Sequence, residues 1–234
     1  MKKILITSDI DWAIDEVIDE FTSILEDYNV PSTLFCTHSS PKIQDLDDDF
    51  FEVAIHPNFN PSLINGKNIC AETVIDNMLN IFPFAKGVRS HSMTSSTHLN
   101  NLFHKKGLKY ESNIFLPYNW KISPYKSWTG LTSIPYHWED DVHFHYKRNF
   151  EADFDSIFTA SDQVIFDFHP IHVFLNTDTE LTYLKAKNCY KDYKKLKELK
   201  NSNSLGVRDY LIALLNYANK KDFEFSKMNN LIIK

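Results

Sequence analysis

Glycine is scarce in this chain: 5 residues in 234, at positions 66, 87, 107, 130 and 206, never clustered. A dinucleotide fingerprint and a phosphate-cradling loop both need grouped glycines, so neither is present. Cysteine is also sparse. Cys36, Cys70 and Cys189 cannot all pair with one another and lack metal-ligand spacing, which points to a reducing compartment. Excess positive charge is missing as well, since 25 Lys and Arg face 31 Asp and Glu for a formal net charge of −6. Nucleic-acid binding needs a basic surface, so nucleic acid is not expected as a partner. No run approaches the roughly 18 apolar residues of a membrane helix. The opening Ile4-Leu5-Ile6 gives way at once to Asp9 and Asp11, too soon for a signal peptide, so a cytoplasmic protein without a membrane span is expected.

What is present suits a globular fold. Hydrophobic residues make up 43% and charged residues 24%, enough for a sizeable core in a single domain over residues 1–234. Short apolar runs at Lys3 to Ser8, Ser32 to Cys36, Phe51 to Ile55, Gly87 to Arg89, Leu131 to Ile134 and Val164 to Phe168 predict strands. Helical spacing predicts helices from Ile14 to Tyr28, Glu72 to Phe82, around His98 to Lys105, and Val207 to Asn219. A lysine-rich helix is expected from Tyr183 to Leu199, and a closing strand at Phe223 to Phe225. From Phe115 to Trp128 an aromatic, proline-containing stretch has no clear period. Strands alternate with helices, an α/β layout that suggests a distorted barrel with its site at the strand C-terminal ends.

Four stretches at those ends carry polar residues. In Ser8-Asp9-Ile10-Asp11-Trp12 the two carboxylates are i and i+2, on one side of an extended chain and about 7 Å apart at ~3.3 Å per residue. One could bind a cation while the other takes a proton; an aspartate capping the next helix is the simpler alternative. In His56-Pro57-Asn58-Phe59-Asn60, a helical turn starting at Pro57 would turn Asn60 to the same point as His56, although Pro61 limits the turn. Arg89, at a strand end before Ser90-His91, could clamp a carboxylate with two hydrogen bonds or form an ordinary surface ion pair. In Val164-Ile165-Phe166-Asp167-Phe168-His169-Pro170-Ile171-His172, alternation puts Ile165, Asp167 and His169 on one face. Burying Asp167 beside His169 is costly unless the pair is satisfied or used. His143-Phe144-His145 offers a second possible ligand pair on one strand face, near Asp140 and Asp141, or an exposed edge strand.

On these residues the chain resembles the polysaccharide deacetylase family (NodB homology, carbohydrate esterase family 4), in its WbmS-like branch. The resemblance runs from Thr7 to His172 and implies a distorted (β/α) barrel. It also implies Asp9 as general base, Asp11 and His56 as ligands of a divalent metal, Zn²⁺ by preference, Arg89 as the group orienting the base, and His169 as general acid. Asn60 stands where the family has a second metal histidine, and a neutral amide oxygen is a weaker ligand than imidazole. Ser90-His91 replaces a proline-containing pair, which leaves open which backbone N–H would share the oxyanion's charge, and lets His91 contact substrate or the metal. Trp138-Glu139-Asp140-Asp141 places its aromatic before its acids, the reverse of the family order. Trp138 is carried over as a sugar-stacking residue and Asp140 as a partner of His169 or Arg89, with Asp167 competing for His169.

The implied activity is metal-assisted hydrolysis of an N-acetyl group on an amino sugar of a surface polysaccharide or its precursor. Two other classes remain open. A two-carboxylate glycosidase would use Asp9 and Asp11, but neighbours on one strand do not naturally flank a sugar from opposite faces. A carbohydrate-binding pseudoenzyme that lost the second histidine would have no need of a base and an acid together.

Overall fold

The computed structural model describes residues 2–64, 66 and 69–234. Its frame is the set of parallel strands that the apolar runs predict. β1 (Lys3–Asp9) is buried from Ile4 onward and pairs on one side with β2 (Ser32–Cys36) and on the other with the late strand Gln163–Asp167. A strand with neighbours on both edges and helices outside needs apolar residues on both faces, hence the consecutive Ile4, Leu5 and Ile6. Between β1 and β2 lies α1 (Asp15–Asp27), which buries Val17, Ile18, Phe21, Ile24 and Leu25 and carries Asp15 and Glu16 in its first turn. Acidic groups there complement the positive helix end. A short α2 (Pro41–Gln44) is capped by Ser40, whose side chain accepts from Ile43 N–H, and leads to β3 (Phe51–Ile55).

The sheet continues through smaller pieces. After α3 (Asn60–Leu63) and α4 (Ala71–Ile81) come β4 (Gly87–Val88), α5 (Thr97–Lys105), β5 (Tyr110–Glu111), β6 (Tyr125–Lys126), β7 (Thr132–Ser133) and β8 (Trp138–Glu139). Strands of two residues carry too little periodicity to be read, which is why the stretch beyond Tyr110 has no clear pattern. One extended segment from β7 to β8 closes the curl of the sheet. Its start pairs with β5, Tyr136 bridges Phe115, and its end pairs with the strand Gln163–Asp167. The fold is therefore a curled, parallel (β/α) barrel, with β6 the antiparallel exception.

The remaining elements are α6 (Asp140–His145), α7 (Phe154–Ala160), β9 (Gln163–Asp167), α8 (Pro170–Leu175), α9 (Glu180–Lys187), α10 (Tyr193–Glu198), α11 (Val207–Lys220) and β10 (Glu224–Phe225), which pairs with β1. Two expectations change here. His143 and His145 lie on the helix α6, not on a strand face. The lysine-rich helix predicted over Tyr183 to Leu199 is two helices, because the chain turns between Lys187 and Tyr193 and Asp192 caps a new start by accepting from Lys195 N–H.

Strand pleating divides the core. Leu5, Phe35, Ala54, Tyr110, Tyr136 and Ile165 form the cluster inside the barrel, closed at the strand N-terminal end by Met228. Ile4, Ile6, Val164, Phe166 and Phe168 pack outward with residues of α1, α8 and α11. Gly87 shows how tightly the interior is filled. A Cβ there would stand 1.9 Å from Cζ of Tyr110, whose hydroxyl donates to the buried Glu52 Oε1 at 3.0 Å. Gly87→Ala is expected to lower stability by about 1–3 kcal/mol through overpacking; a urea midpoint equal to wild type would show that the Tyr110 ring yields freely.

Candidate active site

The polar residues singled out in the sequence stand at the C-terminal mouth of the barrel, where βα connections can present side chains from several strands to one point. Asp9 ends β1, His56 follows β3, Arg89 follows β4, Asp140 follows β8, and Asp167 and His169 end β9. Each is at most 7% exposed, with Arg89, Asp140 and Asp167 at 0%.

Arg89 uses all five of its N–H donors. Nη1 donates to Asp9 Oδ1 at 3.0 Å and to Asp167 Oδ1, Nη2 to Thr7 Oγ1 at 3.1 Å and Ser112 Oγ at 3.2 Å, and Nε to Ser112 O at 3.3 Å. Phe35 and Tyr136 sandwich the guanidinium, their ring centroids 4.2 and 4.1 Å from its carbon. Burial opposes its charge, but Asp167 and Asp9 outweigh that and fix it as a cation. Burial also raises the pKa of Asp9, against the pull of Arg89 and with the push of Asp167. Asp9 is thus an orientated carboxylate with more than ordinary proton affinity.

Asp140 grips His169 twice: Oδ1 lies 2.7 Å from Nδ1 and Oδ2 accepts the backbone N–H at 2.8 Å. Pro170 begins α8 directly after His169 and keeps it extended at the strand end. Burial works against a charged His169, but Asp140, Asp141 and Asp11 overcome it and raise its pKa well above the ordinary value. Nε2 faces Asp11 Oδ2 at 3.8 Å. Of the two acids competing for His169, Asp140 is the partner, while Asp167 turns to Arg89. Asp9, Asp167 and His169 each offer an atom within 4.8 Å of the others.

A third group converges beside these. Asp11 Oδ1 lies 3.0 Å from His91 Nδ1 and 3.4 Å from His56 Nε2, and the two imidazole nitrogens are 3.3 Å apart. Four ligands at ~2.0–2.1 Å in a tetrahedron place neighbouring donors about 3.3 Å apart, so the triad has the spacing of three ligands around one cation. Asp11 Oδ1 and His56 Nδ1 are buried without an aligned hydrogen-bond partner, as donor atoms awaiting a cation would be. His56 Nδ1 points toward Asp9 Oδ1 at 3.7 Å, the direction in which a carboxylate orients a ligating imidazole. Burial pushes the Asp11 carboxyl up, but His56, His91 and His169 together hold it well below the usual range. The residues present fit a divalent metal with mixed N and O ligands.

The third member of this triad is His91, which the sequence leaves open as a contact of substrate or metal; Asn60, expected as a ligand, is not turned to the same point by a helical turn from Pro57. The residues after His56 do not form the helical turn that would have aligned Asn60. α3 starts only at Asn60, whose Nδ2 donates to Ser92 Oγ at 3.1 Å. A 3₁₀ turn over His91–Met93, with Ser92 and Met93 at φ 55° and 50°, swings His91 in, while its backbone N–H donates to Pro57 O at 3.0 Å. Ser90 N–H is likewise engaged, with Asn113 Oδ1 at 2.7 Å. Neither amide is free to donate to an oxyanion.

Trp138 is a second correction. It is 1% exposed, stacks on Tyr210 with centroids 4.8 Å apart, and donates from Nε1 to His143 Nδ1 at 2.9 Å, so it is core and not a sugar platform. His143 is held by that bond and by its Nε2 contact to Asn149 O at 2.7 Å, which makes it a satisfied core histidine. Two residues of the mouth escaped the sequence reading. Trp12, half-buried, sets its ring edge-on to His91 at 5.1 Å, and the Tyr190 hydroxyl donates to Asp11 O at 2.8 Å. Asp192, a helix-capping residue within the lysine run, was the available sign that the chain breaks there.

The profile of the WbmS-like polysaccharide deacetylases matches residues 6–187, which contain every residue of the mouth except Tyr190. The chain belongs to that family. A crystal structure from Bordetella bronchiseptica, provisionally described as a polysaccharide deacetylase involved in O-antigen biosynthesis, superposes with a TM-score of 0.86 at 34% identity. The match covers 92% of this chain and 90% of that one. A 4-alpha-glucanotransferase from Thermococcus litoralis shares the fold at TM-score 0.55 and 13% identity, over 99% of this chain and 38% of its own. No curated protein matches. Among the described residues, no helix is long and apolar enough to cross a membrane.

Two predictions follow from this geometry. His91→Ala should lose Zn²⁺ on dialysis against a chelator while Asn60→Ala keeps it, as metal analysis would show; the reverse pattern would restore Asn60 as the ligand. Arg89→Met strands two buried carboxylates and should cost about 3–5 kcal/mol in urea unfolding, whereas a loss below ~1 kcal/mol would mean that water reaches them.

Proposed function

We propose that this polysaccharide deacetylase removes the N-acetyl group from an amino sugar of a surface polysaccharide or its precursor. Asp11, His56 and His91 would hold a divalent cation, Zn²⁺ by ligand type. The observation that carries the reading is two buried pairs, Asp9–Arg89 and Asp140–His169, at one mouth with Asp11, the Asp9 carboxylate and the His169 imidazole offering atoms within 4.8 Å of each other. A binding module needs neither, and a glycosidase would need its two acids free. Here Asp11 is turned to histidines and Asp9 to an arginine.

The chemistry divides among these groups. When bound, the cation supplies Lewis-acid polarisation of the amide carbonyl. Asp9, held in place by Arg89, accepts the proton of the attacking water, and its raised proton affinity suits that task. His169 carries a proton on Nε2, sustained by Asp140 at Nδ1, and delivers it to the departing amine, which is too basic to leave as an anion. Asp140 also fixes the imidazole's orientation through its second bond to the His169 backbone. The acetyl group leaves as acetate. The O-antigen role given to the Bordetella relative supports a polysaccharide-building context for the substrate.

The test is acetate release from N-acetylated amino sugars by the metal-loaded protein. Asp9→Asn and His169→Gln should each retain Zn²⁺ yet lower turnover by about 10²–10⁴-fold; Asp11→Ala should lose metal and turnover together. Equal metal loss in Asp9→Asn and Asp11→Ala would overturn this division of roles. Sugar binding without acetate release by the loaded protein would overturn the hydrolytic reading itself.

A further inference from the structure

Asp11 and Trp12 occupy backbone positions that residues with side chains avoid. Their φ angles are 35° and 55°, in the left-handed region where Cβ crowds the backbone, and a bulky Trp is out of place there. Glycine would adopt this turn freely, but neither residue is glycine, so surrounding structure must hold it. Part of the restraint is local: Ala13 N–H donates to Ile10 O at 2.8 Å, and Trp12 N–H to Thr37 Oγ1 at 3.0 Å. The other part comes from 179 residues downstream. The Tyr190 hydroxyl donates to the carbonyl of Asp11 at 2.8 Å, and the next residue's ammonium, Lys191 Nζ, donates to the carbonyl of Trp12.

Two consecutive residues thus cap two consecutive carbonyls of a strained turn. They do so from the break between α9 and α10. On a continuous helix neighbouring side chains diverge by about 100° and could not address adjacent carbonyls together. The interruption is what lets both point at the Asp11–Trp12 turn, and Asp192 restarts the helix immediately afterwards. Among the described residues, no carboxylate forms an ion pair with Lys191, whose ammonium donates to this carbonyl. The turn in turn aims the Asp11 carboxylate at His56 and His91 and lays the Trp12 ring against His91.

We propose that Tyr190 and Lys191 are positioning residues for the catalytic centre, clamping the left-handed Asp11–Trp12 turn so that Asp11 meets the two histidines. The clamp rests on the reading of Asp11 as a cation ligand.

The experiment measures Zn²⁺ affinity of the full chain by competition with a chromophoric chelator, a readout independent of turnover, alongside thermal unfolding of the metal-free protein. Tyr190→Phe and Lys191→Met should each weaken Zn²⁺ binding, and the double variant by roughly tenfold, with little change in metal-free Tm. Trp12→Gly added to Tyr190→Phe should recover most of the lost affinity, because glycine takes the left-handed turn without a clamp. A purely structural role for Tyr190 would not be mended by that change. Wild-type affinity in the double variant overturns the proposal, as does a loss that Trp12→Gly leaves unrepaired. If Tyr190→Phe fails to fold, Lys191→Met, exposed at its side chain, carries the same test alone. Asp11→Asn separates the two readings. If it binds Zn²⁺ as wild type does, the ligand role of Asp11 falls and the clamp with it. If it alone loses Zn²⁺, the centre stands and the clamp falls.

Discussion

A single buried guanidinium organises the mouth of this barrel. Arg89 reaches β1 through Thr7 and Asp9, the segment after β5 through Ser112, and β9 through Asp167, while aromatic rings from β2 and the closing segment cover its faces. Taking such a group out of water costs several kcal/mol, and replacing the whole ion cluster by well-packed apolar residues would often leave a protein no less stable, although removing one partner alone would not. Its value here is geometric. Four strand ends separated widely in sequence are tied to one planar fork, and Asp9 cannot rotate without breaking a bond to it.

The same cluster shares its partners unevenly. Asp9 and Asp167 both lean on the one guanidinium of Arg89, while Asp11 lies against His56, His91 and His169, and Asp140 against His169. Asp167 Oδ2 is buried and, among the described residues, has no hydrogen-bond partner. Burial raises proton affinity at Asp9, with Asp167 adding to it and Arg89 opposing, whereas Asp140, Asp141 and Asp11 stabilise the charged form of His169 against burial. Asp9 and His169 are therefore tuned by different neighbours at the same mouth, burial and Asp167 at the one and three carboxylates at the other.

Much of this was legible because long parallel strands write their burial plainly. β1, β2, β3 and β9 are buried almost throughout, and the polar residues that follow the apolar runs of β1, β3 and β9 lie at the barrel mouth, which is how Asp9, Asp11, His56 and His169 could be named before their convergence was visible. What escaped depends on turns. Whether Asn60 or His91 approaches His56 is decided by where α3 begins and by left-handed Ser92 and Met93, neither of which leaves a periodic trace. The helix break at 188–192 was hidden for the opposite reason. A lysine-rich run has high helix propensity throughout, and only the Asp192 cap argued against continuity. Local rules fail at the segment that touches the Asp11 turn, where a demand from elsewhere in the fold overrides them.

Trp138 shows how little an aromatic residue says about function until its strand's neighbours are known. In the β8–β9 pairing Trp138 lies opposite Phe166 and Glu139 opposite Asp167. Asp167 faces the barrel interior with Ile165 and His169, so Glu139 does too, and Trp138 must point outward with Phe166 and Phe168. That outer face is covered by α11, whose Tyr210 stacks on the indole at an interplanar angle of 3°. One residue's shift in register would exchange the two roles, sending the indole to the mouth and the carboxylate into the helical layer. The register is held by burial on both sides: an ionisable Glu139 is tolerable only where Tyr136 can donate to it at 2.7 Å, and a buried indole only where His143 accepts its N–H. Pairing, not residue type, therefore makes Trp138 a brace for the strand that delivers Asp140 to His169.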